Sequence, residues 1–254
     1  MVWYPSPNHD VRQRSIDMLL VHYTDMKNAQ LALQKLCDGA AKVSAHYLID
    51  EGGEIFHLVK EDRRAWHAGV ASWRGVQDIN SASIGIELQH EGHKGDVMAD
   101  YPAAQIDALI TLAQEIMARH NIPPRHILGH SDVAPYRKRD PGEALDWQHL
   151  ASKGIGVWVD NNMPLNVPPL YMGNAGENAG EAVGEAVMAL QQSLATYGYD
   201  IICDGIFGEK MQQVIIAFQR HFMPQKIDGI ACAALQSILQ SILQSIIDDL
   251  IHKV

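Results

Sequence analysis

The sequence predicts an α/β fold with a central mixed β-sheet flanked by helices, plus a small three-helix C-terminal domain. Three observations lead to this prediction. Short apolar runs separated by turn signals indicate strands. A segment from Pro102 to His120 carries apolar residues at helical spacing, and the chain beyond residue 180 has the same helical period. The 254 residues are enough for one sizeable core and a smaller module.

The composition narrows the range of partners. The chain has a formal net charge of -10 and no basic block, which argues against nucleic acid as a partner. No apolar stretch of the sequence approaches the length of a membrane span. The N-terminus lacks the charged and apolar regions of a signal peptide, so we expect either a cytosolic protein or one whose signal has been removed.

The three cysteines, Cys37, Cys203 and Cys232, are widely spaced and match neither a metal-binding motif nor a disulfide framework. We interpret them as small buried apolar side chains. A disulfide between Cys203 and Cys232 stays open as an alternative.

Five apolar runs are predicted to be strands of the sheet: residues 16–24, 44–50, 55–59, 83–89 and 127–129. Before them, residues 1–15 are polar and contain two prolines, so we expect an irregular arm there. Gly52 and Gly53 mark a hairpin turn between the second and third runs. His22 lies near the C-terminal end of the first run, and this end of a strand is where open α/β sheets bind ligands.

Helices are predicted at residues 30–41, 102–120 and 145–152. Residues 158–180 are rich in Asn, Pro and Gly without periodicity and are interpreted as a linker. Three helices follow, over residues 183–198, 210–222 and 231–251. The last repeats Ile-Leu-Gln-Ser, a four-residue period that makes its apolar stripe wind around the helix. We expect that stripe to face the core, with a partner-binding surface as the alternative.

The stretch from His130 to Gly142 gathers the side chains with the clearest chemistry. A strand delivers His130 to one end of the sheet, and the turn that begins at Asp140 can bring that carboxylate back to the same point. Together with His22 they give two imidazoles and one carboxylate, a set that suits Zn²⁺ and leaves a fourth position for water. These three positions form no local motif, and the chain has 13 histidines, so ordinary core or surface roles stay open at this point.

Glu87 and Lys138 are candidates for catalysis beside that set. Glu87 alternates with Ile84, Ile86 and Leu88, so its side chain faces away from theirs. On the residues alone, Glu87 could equally be a solvated strand residue and Lys138 a surface lysine in a run of cations.

Four motifs occur together and in order: Val21-His22-Tyr23-Thr24, Ala65-Trp66-His67-Ala68-Gly69, Ser83-Ile84-Gly85-Ile86-Glu87-Leu88, and the stretch from His130 to Gly142. Through them, residues 15–157 resemble the zinc-dependent N-acetylmuramoyl-L-alanine amidase family, which also includes phage T7 lysozyme and the peptidoglycan recognition proteins. Within that family, the chain looks most like the bacterial AmpD- and AmiD-type amidases. The resemblance implies the fold shared by these amidases and recognition proteins.

The resemblance also implies roles for single residues. His22, His130 and Asp140 would hold one zinc ion, Glu87 would act as the general acid and base, and Lys138 would stabilise the developing oxyanion. Both catalytic roles agree with the chemistry of a carboxylate beside a metal-activated water and of a lysine cation.

In some family members a tyrosine that acts near the metal precedes the histidine of the second strand. Ala45 stands at that position here, and Tyr47 follows His46 instead. We therefore expect the glutamate-based mechanism, and we expect His46 and His57 to pack within their strands.

Five polar or aromatic residues near the loop after the third strand are candidates for holding glycan and peptide, because binding residues often lie on such loops. They are Arg64, Trp66, His67, Arg74 and Asn80. Arginine can clamp a peptide carboxylate through two hydrogen bonds. Loop packing or solvation is the alternative for each.

Residues 183–240 resemble the three-helix peptidoglycan-binding domain through Leu190-Gln191, Asp204-Gly205-Ile206-Phe207-Gly208, Ala217-Phe218-Gln219-Arg220 and Asp228-Gly229-Ile230. Such a domain implies anchoring to the wall, which raises the local substrate concentration. A purely structural cap is the alternative.

We therefore expect a zinc amidase catalytic domain at residues 1–157 with an arm at 1–15, a linker at 158–180, and a helical peptidoglycan-binding domain at 181–254. The expected activity is zinc-dependent hydrolysis of the amide bond between N-acetylmuramic acid and L-alanine in peptidoglycan or muropeptides, in cell-wall remodelling or recycling. The alternatives are a non-catalytic peptidoglycan-fragment-binding protein on the same fold and an inhibitory protein–protein partner. We expect a monomer in the periplasm or cell envelope of a bacterium, with an outer-membrane lipid anchor only outside this sequence.

Overall fold

The computed structural model describes residues 1–95, 97–160, 166–172 and 182–251. It divides the chain into two compact units. The first unit comprises Met1–Ala71 and Val76–Val157, and the second comprises Ser72–Gly75 and Trp158–Val254. Of the predicted linker, residues 161–165 and 173–180 lie outside the described residues.

The first unit is built on a mixed sheet, as predicted. Its strands and those of two short ribbons are β1 (Val2–Trp3), β2 (His9–Val11), β3 (Met18–Tyr23), β4 (Tyr47–Ile49), β5 (Ile55–His57), β6 (Arg63–Ala65), β7 (Ser83–Leu88), β8 (His93–Lys94), β9 (Val97–Met98) and β10 (Ile127–Gly129). The main sheet has the order β1-β5-β4-β7-β3-β10. All neighbours in it run parallel except β4 and β5, which form the predicted hairpin.

The helices of the described chain are α1 (Ala29–Cys37), α2 (Ile79–Ala82), α3 (Ala103–His120), α4 (His130–Val133), α5 (Trp147–Ser152), α6 (Ala182–Tyr197), α7 (Glu209–Phe222) and α8 (Ala233–Ile251). Helix α1 begins where the Asn28 side chain accepts a hydrogen bond from the backbone of Leu31. Helix α3 ends at Asn121, which adopts the left-handed conformation. The predicted long helices are confirmed to within a few residues at each end.

The centre of the sheet is buried on both faces, and this explains why its strands appear in the sequence as continuous apolar runs. Leu19, Leu20, Ile84 and Ile86 in β3 and β7 are fully buried. Strand β3 pairs with β7 in parallel register, and His22 is the register partner of Glu87. The two polar residues therefore lie side by side near the C-terminal ends of two central strands.

The N-terminal arm is not irregular throughout, contrary to the prediction. Strand β1 pairs with β5, and β2 pairs with β6. Between the arm and the sheet, the guanidinium of Arg12 donates hydrogen bonds of 2.7 to 3.2 Å to five backbone carbonyls, those of Glu61, Arg63, Asn80, Ser81 and Ser83. Burial lowers the pKa of Arg12 to about 10. Strands of two or three residues have too few positions to show a period, so only tertiary pairing reveals them.

The second unit contains three helices within the described residues, as predicted. A repeated contact organises it. The side chain of Gln191 accepts from the backbone of Gly205 at 2.8 Å and donates to Asp204 at 2.9 Å. Gln219 makes the same pair of contacts, each at 2.8 Å, with Gly229 and Asp228. Each Asp-Gly-Ile turn is thus held by one buried glutamine, which satisfies backbone groups that would otherwise be buried without partners.

Helix α8 buries the first part of its winding apolar stripe. Leu235, Ile238, Leu239 and Ile242 are at most 3% exposed, whereas Ile247 is 49% exposed. The stripe faces the core as far as Ile242, in agreement with the drift expected of a four-residue repeat.

The loop residues Ser72–Gly75 belong to the second unit. Trp73 is buried there, edge-on to Tyr197 and Tyr199 with ring centroids 5.2 and 5.0 Å away. The backbone of Arg74 donates to the carbonyl of Gly198 at 2.8 Å. Trp73 of the predicted binding loop is therefore part of the packing of the second unit.

The cysteines are free, and Cys203 is exposed while Cys37 and Cys232 are half-buried. The interpretation of all three as buried apolar side chains is therefore wrong, because Cys203 lies in a loop between α6 and α7. Among the described residues, no helix combines the length and apolar character that crossing a bilayer requires.

Glu61 links α3 to the sheet through hydrogen bonds and makes the free energy of unfolding depend on pH. Burial favours its protonated form, but hydrogen bonds from Arg119, Tyr47 and His120 outweigh this and lower the pKa of Glu61 to about 2. The charged form is stabilised by folding, so this stabilisation is complete above about pH 4.5 and is lost as the pH falls towards 2.

We predict that Glu61→Gln lowers the free energy of unfolding by roughly 2 kcal/mol at pH 7 and by much less at pH 3. Urea titration of both proteins at the two pH values measures this difference. Glu115→Gln is the matched control, because exposed Glu115 contacts the same Arg119 at 3.6 Å. A Glu61→Gln deficit that is equal at pH 7 and pH 3 would contradict the assignment.

Candidate functional site

Three elements bring the predicted ligands together at the C-terminal edge of the sheet. His22 is the fifth residue of β3, and His130 is the first residue of α4, directly after β10. The chain then turns back so that the carbonyl of Asp140 accepts a hydrogen bond from the backbone of Ser131 at 2.9 Å. The neighbouring strands β3 and β10 therefore supply two ligands, and the returning loop supplies the third.

The ligand atoms form a small buried triangle. Nδ1 of His22 lies 2.9 Å from Nδ1 of His130 and 3.0 Å from Oδ2 of Asp140, and the His130–Asp140 distance is 2.9 Å. The three residues are 1%, 2% and 5% exposed. Tetrahedral zinc with bonds of about 2.0–2.1 Å separates its ligand atoms by roughly 3.4 Å, so the triangle is close to the size such an ion needs.

The second nitrogen of His130 shows why this donor set fits a cation. Its Nε2 lies 3.0 Å from the carbonyl of Ala68, which can only accept, and 3.4 Å from Nη2 of Arg137. The shorter contact assigns the proton to Nε2, which leaves the Nδ1 lone pair facing Asp140. A carboxylate and an imidazole lone pair at hydrogen-bonding distance, without a proton between them, are complementary to a positive ion. The triangle is a possible metal site.

The protonation states agree with this assignment. Burial, followed by repulsion from His130, lowers the pKa of His22 to about 4, so the imidazole is neutral near pH 7. Burial alone would raise the pKa of Asp140, but His130 and His22 hold it well below its usual range. Neutral imidazoles and an ionised carboxylate are the forms that bind metal ions.

A cleft of about 370 Å³ opens beside the triangle. It is lined by His22, His130 and Asp140, by the predicted catalytic residues Glu87 and Lys138, and by His67. Other residues of the lining were not predicted as site residues, although they directly follow His22 or precede Asp140 in the chain. They are Tyr23, Thr24, Asp25, Met26, Arg137 and Arg139. Their positions directly after a site-bearing strand and within the stretch before Asp140 were the available signal.

Glu87 is a buried acid of the cleft with a strongly raised pKa. It is 8% exposed, and its Oε2 has no hydrogen-bond partner among the described residues. Burial, with the nearby charge of Asp140, raises the pKa of Glu87 well above its usual range, and Lys138 partly opposes this. An unpartnered buried carboxylate with a perturbed pKa in a cleft is typical of catalytic sites.

The loop at residues 67–70 frames the ligands. The side-chain oxygen of Asn80 accepts from the backbone of His67 at 2.9 Å and of Ala68 at 2.7 Å. Arg137 donates to the carbonyl of Val70 at 2.8 Å and to that of Ala68. Asn80 and Arg137 therefore hold the backbone that contacts His130.

Of the five residues predicted to contact substrate, His67 lines the cleft, and the other four are not among its described lining residues. Arg64 forms ion pairs with Asp10 and Asp78, each near 3 Å. The Trp66 indole donates to Asp10 at 2.7 Å. Asn80 is buried under the loop, and Arg74 belongs to the second unit.

The residues around the second predicted strand, observed as β4, agree with the expectation that the family's tyrosine has no counterpart here. Ala45 is fully buried, and the hydroxyl of Tyr47 donates to Glu61 at 2.7 Å. His46 accepts from the backbone of Gly85 at 3.0 Å, and His57 stacks on Tyr47. These side chains stabilise the sheet, and Tyr47 points its hydroxyl to a structural partner.

Comparisons with known proteins agree with this architecture. Residues 12–143 match the family model described as N-acetylmuramoyl-L-alanine amidase, and residues 183–239 match a putative peptidoglycan binding domain. N-acetylmuramoyl-L-alanine amidase AmiD of Escherichia coli is 38% identical over 234 residues, which cover 88% of this chain and 80% of that protein. The chain therefore belongs to the N-acetylmuramoyl-L-alanine amidase family.

Solved structures extend the comparison to both units. AmiD from E. coli, in complex with the substrate anhydro-N-acetylmuramic acid-L-Ala-D-γ-Glu-L-Lys, has a TM-score of 0.79 and 36% identity, with 93% of this chain and 92% of that chain covered. AmpDh3 from Pseudomonas aeruginosa has a TM-score of 0.75 and 30% identity, with 91% and 92% covered.

Proposed function

We propose that this chain is a zinc-dependent N-acetylmuramoyl-L-alanine amidase, which hydrolyses the amide bond between N-acetylmuramic acid and L-alanine in peptidoglycan or muropeptides. The observation that carries the proposal is the buried triangle of His22, His130 and Asp140, in a cleft that Glu87 also lines. The family and the names of its similar members support the substrate class. Such an activity serves cell-wall remodelling or recycling.

His22, His130 and Asp140 would hold the zinc ion. When bound there, the ion would supply Lewis acidity, which polarises the substrate carbonyl and acidifies a neighbouring water. The two imidazoles and the carboxylate bring one negative charge, so the occupied site keeps a net positive charge. That charge would favour the ionised form of Glu87 and so oppose the upward shift that burial causes in its pKa.

Glu87 then has the properties of a general acid and base. A carboxylate whose pKa lies near the working pH can take a proton from water and later give it to the leaving amine. Its position beside His22, set by the pairing of β3 with β7, puts this proton transfer next to the metal ligands.

Lys138 would stabilise the negative charge that develops on the amide oxygen. It lines the cleft two residues before Asp140, and its charge already acts on Glu87. A fixed cation in a site with little water stabilises a developing oxyanion more than the same cation does in bulk water.

We further propose that the chain works in the cell envelope, with its second unit as a peptidoglycan-binding domain. The match of residues 183–239 to a peptidoglycan-binding family supports this role. Attachment to an insoluble substrate keeps the catalytic unit at a high local substrate concentration. Periplasmic location, monomeric state and an outer-membrane anchor are expectations from the resemblance to AmiD-type amidases.

We predict that Glu87→Gln keeps one zinc ion per chain but cleaves a soluble anhydro-muropeptide about 10²- to 10⁴-fold more slowly, because the amide cannot transfer the proton. Metal analysis and chromatographic detection of released peptide measure the two properties. Glu91→Gln, at an exposed carboxylate outside the cleft lining, is the control and should be fully active.

Unchanged cleavage by Glu87→Gln would remove Glu87 from the mechanism. A wild-type chain that holds zinc and binds the muropeptide without cleaving it would instead support the non-catalytic binding protein.

We predict that Lys138→Met lowers kcat about 10²- to 10³-fold with a smaller change in KM, since the cation acts mainly on the charge formed during the reaction. Steady-state kinetics on the same muropeptide measure both constants. Lys153→Met, at an exposed lysine, is the matched control. A change confined to KM would assign Lys138 to substrate binding.

We predict that Gln219→Met weakens co-sedimentation of the chain with insoluble peptidoglycan and leaves turnover of the soluble muropeptide unchanged. The substitution leaves the buried backbone of Gly229 without its acceptor and frees the Asp-Gly-Ile turn. Gln192→Met, at the exposed glutamine beside Gln191, is the control. Equal sedimentation of the folded Gln219→Met chain would contradict a binding role for these turns.

A further inference from the structure

His67 occupies a position that substrate contact does not explain. It is 6% exposed, and its two ring nitrogens both contact other side chains. Nδ1 lies 3.0 Å from Nε2 of His22, and Nε2 lies 3.3 Å from the hydroxyl of Ser83. The His67 ring thus connects a metal-site ligand to a buried serine.

The directions of these hydrogen bonds follow from the partner of Ser83, which is the last side chain in the series His22, His67 and Ser83. The carbonyl of Ile79 can only accept, and it receives the single hydroxyl proton of Ser83 at 2.6 Å. The oxygen of Ser83 is then the acceptor for the proton on Nε2 of His67. Neutral His67 consequently presents an unprotonated Nδ1, which accepts the proton on Nε2 of His22. The remaining nitrogen of His22, Nδ1, keeps its lone pair and faces His130 and Asp140.

Gly85 leaves the space for this arrangement. A Cβ atom at Gly85 would lie 2.5 Å from Cγ and 2.6 Å from Nδ1 of His67, closer than side chains approach. Gly85 is the central-strand residue two positions before Glu87, so the same strand accommodates the His67 ring and carries the proposed acid and base.

We propose that His67 is a positioning residue that fixes the proton of His22 on Nε2 and so keeps Nδ1 available for a metal ion. This inference rests on the proposed zinc site. Ala68, the residue after His67, orients His130 in the same way, because the carbonyl of Ala68 accepts a hydrogen bond from Nε2 of His130. Two consecutive residues therefore orient both histidine ligands, and Asn80 binds the backbone N–H groups of both.

The first test is the zinc dissociation constant, measured at pH 7 by competition with a chelator. We expect His67→Leu to bind zinc about 10- to 100-fold more weakly than wild type, since partners of metal ligands typically contribute this much. His67→Asn should bind more tightly than His67→Leu, because its side-chain oxygen can still accept from His22. His57→Leu, at a half-buried histidine that donates to the carbonyl of Val59, should bind zinc like wild type.

Wild-type affinity in a folded His67→Leu chain would overturn the inference and leave the proposed function intact. Equal weakening by Leu and Asn would also overturn it, because the acceptor would then be irrelevant. If wild type binds no zinc, the proposed function fails and takes this inference with it.

A second measurement uses the unaltered protein and does not depend on how the variants fold. Nitrogen-15 NMR of the histidines in the zinc-loaded chain should show a proton on Nε2 of His22 and scalar coupling from that nitrogen to Nδ1 of His67. A proton on Nδ1 of His67 would overturn the inference.

Discussion

The site depends on one electrostatic constraint: three hydrogen-bond acceptors converge in a space from which water is largely excluded. Nδ1 of His22, Nδ1 of His130 and Oδ2 of Asp140 lie 2.9 to 3.0 Å apart, and all three residues are buried. Such a set is costly unless a positive charge joins it. The pairing of β3 with β7 then puts Glu87 beside His22. The register of these two strands therefore places one of the three ligands next to the proposed acid and base.

The surrounding structure serves to hold these acceptors still. Asn80 binds two consecutive backbone N–H groups, Arg137 binds two carbonyls of the same loop, and Arg12 joins the N-terminal arm to the strands beneath. Asn80 is buried and Arg12 is half-buried, and a missing partner costs most free energy at such positions. Polar networks of this kind position catalytic groups more accurately than a loop alone could. In the second unit, Gln191 and Gln219 hold their turns by the same principle.

Much of the fold could be predicted from the sequence because the strongest signals are local. The central strands are continuous apolar runs, and α3 has a clear helical period, so both were found. The short strands of the N-terminal arm could not be, since their pairing depends on distant partners such as β5 and β6. At the site, ordered motifs indicated the ligands. The ion pairs of Arg64 with Asp10 and Asp78, and the hydrogen bond from Trp66 to Asp10, involve residues elsewhere in the chain, so motif position alone could not predict them.

Anomalous scattering at the zinc absorption edge, measured on crystals of the zinc-loaded chain, tests the central claim most directly. We expect one strong peak about 2.0–2.2 Å from Nδ1 of His22, Nδ1 of His130 and a carboxylate oxygen of Asp140. A zinc peak at other residues, or none at these three after loading, would contradict it.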